Sequence, residues 1–451
     1  MKPLPVILLA LATSLLPAAE PRPPNFLFIL ADDLGYGDLG CYGAPDIKTP
    51  NIDKLARSGV RFTDFYANGP LCTPTRCAFM TGRYPQCIGA GLETTIPPGE
   101  KSFGLPPEEK TIANVLRDFG YATSMAGVWH LGYGAAFGPN VHGFESFFGL
   151  HSGNHDHFTH RENNGSRDLW QDTQPVVLEG YSPALVAKRA VEFLSATNDK
   201  PFFLYVAFNA PHFPLQGPED GDRQITLREW ATGNRATYVK MVEALDGYVG
   251  WLLGTLYREH LSTNTLVVFT SDNGGDRYSR NAPLAKGKGT LYEGGIRVPC
   301  IARWTGRIPG DKVTSQVGIT MDWSATILKL AGALPPKHRP FDGIDLMPVL
   351  TGKIKPQKRT LFWRRVTPRF VTMQRAVRDG DWKLIDEPNG RQALFNLAND
   401  IGETNNLATR SDEQVARLRK LLDWWETDVT PPLYPMNVKA VLPESSGGDS
   451  P

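Results

Sequence analysis

The chain has 451 residues, a formal net charge of +1, 41% hydrophobic and 21% charged residues. That length holds one large domain and a smaller one, and the apolar and aromatic content excludes extended disorder. The balanced charge, with no dense Lys/Arg run, offers nothing to a nucleic-acid partner. Lys2, an apolar run over residues 6–16 and the small residues Ala18 and Ala19 predict a Sec-type signal peptide at residues 1–19, hence a secreted or periplasmic protein. That run is too short to cross a bilayer, and no later segment reads as a stable membrane span. Residues 25–31, apolar after Asn25, predict a buried parallel strand. Residues 51–58 predict a helix stopped by Gly59, and residues 60–66 a second strand. Ile112, Val115, Leu116 and Phe119 have helical spacing, with Gly120 as the stop and residues 121–126 as the next strand. A helix over 182–194, a strongly apolar strand over 202–208, a long amphipathic helix over 235–256 and a strand over 266–270 follow.

Strands alternating with helices predict an α/β domain over 24–343, with a mixed, mostly parallel central sheet flanked by helices. After Gly343 the texture changes. Short strands at 361–363, 375–378 and 382–385 and a helix over 412–426 predict a small C-terminal α+β domain with an antiparallel sheet, at 344–435. Residues 436–451 read as a flexible tail.

Chemistry-bearing residues fall at the ends of the predicted strands. Asp32 and Asp33 follow the first; His130, His212 and the pair Asp272-Asn273 follow later ones. In an open α/β sheet the carboxyl ends of the strands share one rim, where ligands bind. Taken singly, a DD doublet is commonly a solvated turn and a lone His a structural hydrogen-bonder. Their shared placement predicts a site. Three carboxylates and an amide oxygen suit Ca²⁺ or Mg²⁺ better than Zn²⁺, and an exported location favours calcium. Five cysteines, an odd number, leave at least one unpaired or modified, and no CxxC pair signals a zinc site. Cys72 is that candidate. Thr73 reads as an N-cap and Pro74 as the first residue of a helix, which places Cys72 at an anion-attracting helix start with Arg76 one turn on. Residues 151–160 hold four of the nine histidines, read as a pocket wall rather than a second metal site.

Cys72-Thr-Pro-Thr-Arg76, continued by Met80-Thr-Gly-Arg83, resembles the signature of the type I, formylglycine-dependent sulfatases of the alkaline phosphatase superfamily. The likeness extends from Asn25 to about Leu407 through Asp32-Asp-Leu-Gly-Tyr-Gly-Asp38, Ala210-Pro-His212, Ser271-Asp-Asn-Gly-Gly275 and Gly287-Lys-Gly-Thr-Leu-Tyr-Glu-Gly-Gly295. It implies an alkaline phosphatase-like fold and cleavage of sulfate esters, with a sulfated carbohydrate as substrate and aryl sulfates as artificial ones. It implies that a formylglycine-generating or anaerobic sulfatase-maturating enzyme oxidises Cys72. The hydrated aldehyde would attack sulfur, and its second hydroxyl would expel sulfate. Asp32, Asp33, Asp272 and Asn273, with residue 72, match the calcium ligands. Arg76 matches the residue that steadies the hydrate and His130 the base of the elimination. His212 and Lys288 match the groups that contact sulfate and protonate the leaving oxygen. Ser152, Asn154 and His155 match substrate contacts. One position departs: Gly127-Val128-Trp129-His130 stands where the family has Gly-Lys-Trp-His. Losing a cation beside an anionic transition state costs about 2.7–4 kcal/mol, by analogy with a lost oxyanion donor. Three accounts are open: Lys286 substitutes, the reaction needs less charge, or activity is weak or lost. A phosphodiesterase or phosphonate hydrolase, and a silent sulfated-glycan binder, are the rival readings.

Overall fold

The apolar run after Asn25 forms the strand Asn25–Ala31, in the middle of a ten-stranded sheet. In this computed structural model, residues 22–431 are described except 135, 197–199, 222–224, 337–339 and 368–371. The expected signal peptide and tail lie outside the described residues. In sheet order, five neighbouring strands run parallel: Thr265–Ser271, Asn25–Ala31, Phe202–Ala207, Ala122–Val128 and Ser146–Leu150. Cys300–Arg303 runs antiparallel between Thr265–Ser271 and Val60–Phe62, with Lys312–Thr314 outside it. Two-residue strands, Trp170–Gln171 and Gln174–Pro175, close the other edge.

The continuous apolar strands follow from burial on both faces. Phe26, Phe28 and Leu30 enter one core with Phe203, Tyr205, Leu266 and Val268. Leu27, Ile29 and Ala31 enter the other with Phe202, Leu204, Val267 and Phe269. Helices Cys72–Thr81, Ile112–Asp118 and Met321–Ala331 cover the first face; Pro50–Arg57, Ser182–Ala196 and Arg235–Arg258 cover the second. The result is the expected α/β architecture, and every parallel strand delivers its carboxyl end to one rim.

Two expectations change. The strand expected over 60–66 breaks after Phe62, and Phe65–Tyr66 pairs instead with Gly318–Ile319. Asp64 sits at the break because its carboxylate takes Arg297 at 3.1 Å and Arg378 at 2.9 Å. The helix expected after Thr73 starts at Cys72, with extended Leu71 as an N-cap that makes no side-chain hydrogen bond. Thr73 does not cap because its hydroxyl donates to the His130 carbonyl at 3.0 Å.

The second sheet is antiparallel: Thr360–Thr367, Thr372–Asp379, Trp382–Asp386 and Gln392–Asn396, backed by the helix Asp412–Asp428. It is fastened by buried charge. Lys383 reaches Glu293 at 2.8 Å and Glu403 at 2.9 Å, all three side chains 0% exposed. Arg297 and Tyr66 bond the other Glu293 oxygen at 3.0 and 2.6 Å. Burial works against the Glu293 anion, but Lys383 and Arg297 outweigh it and hold its carboxyl at about 2. Removing one partner of such a cluster strands buried charge, so Lys383→Met is expected to cost about 3–5 kcal/mol in urea unfolding. Lys383→Arg should lose much less, and equal losses would show that volume rather than charge matters there.

Candidate functional site

Adjacent strand tips hold one another at the rim. The Asp272 N–H donates to the Ala31 carbonyl at 3.1 Å, the Leu34 N–H to Ser271 Oγ at 3.1 Å, and the Asp33 N–H to Asp272 Oδ1 at 3.3 Å. Asp33 and His130 turn off their strands in the left-handed region, at φ 65° and 51°. Such conformations cost of order 1–3 kcal/mol in a non-glycine residue and persist where the surroundings impose them.

Arg76 is the hub of the carboxylates and is 1% exposed. Its Nη2 reaches Asp32 at 3.0 Å and Asp272 at 2.8 Å, and its Nη1 donates to the Val128 carbonyl at 2.5 Å. Lys288 Nζ reaches Asp33 Oδ2 at 2.7 Å. Burial pulls the Lys288 ammonium towards its neutral form, yet Asp33 outweighs burial and keeps it charged. The Cys72 thiol, 2% exposed, donates to Asp32 Oδ1 at 3.3 Å. Burial, then Asp272 and Asp32, push that thiol well above the usual cysteine range, so the unmodified sulfur is a poor nucleophile.

Three carboxylates therefore face two cations. Burial raises Asp32 to about 6, and burial with the Asp32 charge raises Asp272 to about 7. Asp33 moves the other way: burial raises it, but Lys288 and His212 lower it more. His212 donates Nδ1–H to the Phe213 carbonyl at 2.6 Å, and its Nε2 stands 3.6 Å from Asp33 Oδ2. Ligand atoms of Asp32, Asp33, Cys72 and His212 lie within 4.8 Å of one another. Asn273 Oδ1 is buried with no donor, while its Nδ2 donates to Asp33 Oδ1 at 2.7 Å. An orphaned oxygen, excess negative charge and facing lone pairs fit a hard divalent cation.

His130 Nε2 sits 3.2 Å from the Ile96 carbonyl and must donate to it, so Nδ1 carries the lone pair, buried and without a partner. Burial first and Arg76 second drop this imidazole to about 3, which keeps it neutral. Gly153 lies flat against that nitrogen, and a β-carbon there would collide with it. The sequence thus brings Asp32, Asp33, Cys72, Arg76, His130, His212, Asp272, Asn273 and Lys288 together. The three expected substrate contacts separate. Asn154 lines a cavity of about 320 Å³ with His212, Phe213, Trp230 and Arg277. Ser152 is 1% exposed, its N–H donating to Asp168 at 2.6 Å. His155 is 2% exposed, its Nε2 2.7 Å from Asn209 Nδ2. Lys286 does not replace the missing lysine: its Nζ sits 3.5 Å over the Tyr292 ring. Val128 packs with Phe148, Leu150 and Leu169.

Two supporting residues escaped the sequence reading. Asn209 follows the strand Phe202–Ala207 as Asp32 follows Asn25–Ala31, so the rim rule applied evenly would have found it. Asp168, which holds the His151 and Ser152 amides, carries no local signal.

A family model described as Sulfatase matches residues 24–333, and one described as N-sulphoglucosamine sulphohydrolase, C-terminal, matches 287–425. The chain belongs to the sulfatase family. Arylsulfatase A of Homo sapiens is 40% identical over 412 residues, covering 84% of this chain and 77% of that protein. N-acetylgalactosamine-6-sulfatase of Canis lupus familiaris is 36% identical over 395 residues, covering 82% and 74%. Among solved structures, Ps i-CgsB in complex with k-i-k-neocarrahexaose superposes with a TM-score of 0.83 at 32% identity, over 92% of this chain and 95% of that one. The protein is an enzyme, a sulfuric ester hydrolase, and its fold is that of the alkaline phosphatase-like sulfatases. Because Gly153 abuts His130, Gly153→Ala should cost about 1–3 kcal/mol by overpacking. An unchanged melting temperature would show that the imidazole moves freely.

Proposed function

We propose that this sulfatase removes sulfate from a sulfated carbohydrate, using Cys72 matured to formylglycine and one bound calcium ion. The observation that carries the reading is the convergence of Cys72, Asp32, Asp33 and His212 on one buried point. Asp32, Asp33, Asp272, Asn273 and residue 72 would hold the cation, which supplies charge neutralisation and polarises a sulfate oxygen. Matured and hydrated, residue 72 supplies a geminal diol, one hydroxyl to displace at sulfur and one to release the product. Because Cys72 is 2% exposed in the folded chain, the maturating enzyme would act before folding.

The remaining steps belong to side chains. Arg76, tied to Asp32 and Asp272, holds two carboxylates still beside residue 72 and keeps its own position by the Val128 carbonyl. His130 offers Nδ1 as the base, since Ile96 fixes the proton on Nε2. His212 Nε2 and Lys288 Nζ both face Asp33 Oδ2, where they would bind sulfate and protonate the departing sugar oxygen. The cavity beside His212 is larger than a lone sulfate needs and carries Trp230, Asn154 and Arg277, a lining suited to sugar. Relatives named for N-acetylgalactosamine sulfate and for a carrageenan oligosaccharide complex support the same class. Residues 24–343 are proposed as the catalytic domain, 344–435 as the smaller one, and 1–19 as a signal peptide directing secretion or periplasmic export. No described helix is long and apolar enough to cross a membrane.

Peptide mass spectrometry across Cys72, on protein from a host with the maturating enzyme, should show a loss of about 18 Da. Cys72→Ala should cut sulfate release by about 10³-fold or more. An unmodified thiol in an active enzyme would overturn the mechanism, and phosphodiester turnover without sulfate release would overturn the substrate class. Calcium should also be visible without turnover. At a hundred times its Kd it stabilises the fold by about 2.7 kcal/mol, a rise in melting temperature that a chelator reverses. A chelator-insensitive melt would remove calcium from the site.

A further inference from the structure

The strand Thr360–Thr367 turns alternate side chains in opposite directions. Leu361 and Trp363 pack into the catalytic unit, and Trp363 Nε1 donates to the Ala67 carbonyl at 2.8 Å. Arg364 points the other way, onto Glu93 at 2.7 Å and Glu426 at 2.8 Å. Arg365 is next on the Leu361–Trp363 side. Its Nη2 lies 3.6 Å from where a β-carbon on Gly289 would stand. Gly289 has φ +80° and no side chain, so the guanidinium faces the space that a side chain there would occupy. Gly289 belongs to the active-site loop. The Gly289 N–H donates to the Pro70 carbonyl at 2.9 Å, two residues before Cys72, and the preceding residue is Lys288, on Asp33.

Among the described residues this guanidinium has no hydrogen-bond or ion-pair partner. Its Nε is buried without an acceptor, and no carboxylate among the described residues pairs with it. Burial alone acts on it, lowering its pKa below the usual arginine value. Arg76, Arg297, Arg364 and Arg378 are all buried too, and each has a carboxylate. Arg303 is likewise unpaired, but its antiparallel strand pairs Arg303 with Val267, early in Thr265–Ser271, at the opposite edge from the rim. Position is secured from the neighbouring strand. Gln374, opposite Arg365, accepts from the Leu291 N–H at 2.9 Å and so clamps the same loop. A half-buried planar fork held beside an active-site loop, with its desolvation uncompensated, is arranged to meet an anion from outside.

We propose that Arg365 binds a second anionic substituent of the substrate, a sulfate ester or uronate carboxylate near the sulfate being cleaved. The inference rests on the sulfatase reading above and makes the C-terminal sheet a determinant of specificity. An aryl sulfate lacks that second anion, and a multiply charged glycan carries it.

The test measures inhibition constants against 4-nitrophenyl sulfate turnover for two matched pairs of competitors. One pair is a disulfated and a monosulfated neocarrabiose. The other is the chondroitin 6-sulfate disaccharide and its uronate methyl ester. In the wild type the more anionic member of at least one pair should bind at least tenfold tighter. Arg365→Ala should reduce that preference below twofold, with a loss on 4-nitrophenyl sulfate at least tenfold smaller than its loss on the favoured competitor. Arg365→Lys, which keeps the charge without the fork, should retain part of the preference and report folding. Discrimination by the first pair identifies a sulfate, by the second a carboxylate. No preference in the wild type, a preference intact in Arg365→Ala, or parallel losses on every ligand would each overturn the inference. If matured wild type releases no sulfate from 4-nitrophenyl sulfate or from any of the four disaccharides, the substrate class proposed above falls instead, and calorimetric binding of the same pairs still judges Arg365.

Discussion

Everything at the rim answers one electrostatic problem: three carboxylates, Asp32, Asp33 and Asp272, are taken out of water side by side. Charges that close repel strongly in a medium less polar than water, and the sheet brings them together anyway. Arg76 is buried among them because no other residue type spans two carboxylates and a backbone carbonyl with one planar group. Lys288 balances Asp33 from the opposite side. The two together fall one charge short; burial, with the neighbouring carboxylates, leaves Asp32 and Asp272 raised, and the Asn273 oxygen stands without a donor. Such an imbalance in a stable fold fits a group of ligand atoms that could hold a metal ion.

That arrangement also explains the second sheet. Lys288 sits on a glycine-rich loop whose packing comes from Leu291 and Tyr292, both set into the cluster of the second sheet. Glu293, five residues on, is gripped by Lys383, Arg297 and Tyr66, and Gln374 takes the Leu291 amide. The antiparallel sheet thus acts as a clamp on the loop that carries Lys288. Burying ions so completely is a poor route to stability, since apolar residues of like volume often do as well. It is a good route to fixed geometry, because Glu293 satisfies its donors in one arrangement.

The legible part of the sequence was its alternation. Unbroken apolar runs such as 25–31 and 202–208 can be buried on both faces only in a parallel sheet, and polar residues directly after them must land on one edge. That reasoning places Asp32, His130, His212 and Asp272 without any motif, and the Cys72 signature adds the chemistry. What escaped was decided by distant partners. Thr73 looks like a cap, but the His130 carbonyl, far away in sequence, takes its hydroxyl. Residues 60–66 look like one strand, but two arginines from other parts of the chain pull Asp64 out of line. Cys300–Arg303 and Ser146–Leu150 are short strands with no strong period, fixed by their neighbours in the sheet.

Val128 shows how the two kinds of information combine. From the sequence it is a missing charge, and Lys286 is the nearest replacement. The structure removes that account, because Lys286 is spent on the Tyr292 ring and Val128 belongs to an apolar cluster with Phe148, Leu150 and Leu169. What position 128 contributes to the site is its carbonyl, which orients Arg76 and needs no particular side chain. The charge that a lysine would bring must then come from Lys288 and His212, both aimed at Asp33, or from the substrate side of the pocket. On the proposed mechanism, fewer fixed cations at the reacting sulfate leave a larger share of anion recognition to residues around it. Arg365 is a half-buried guanidinium with no partner among the described residues, set against the same loop as Lys288. A transition state stabilised less at its centre and held more firmly at its periphery favours large, multiply charged substrates over small ones, because only they reach the outer contacts.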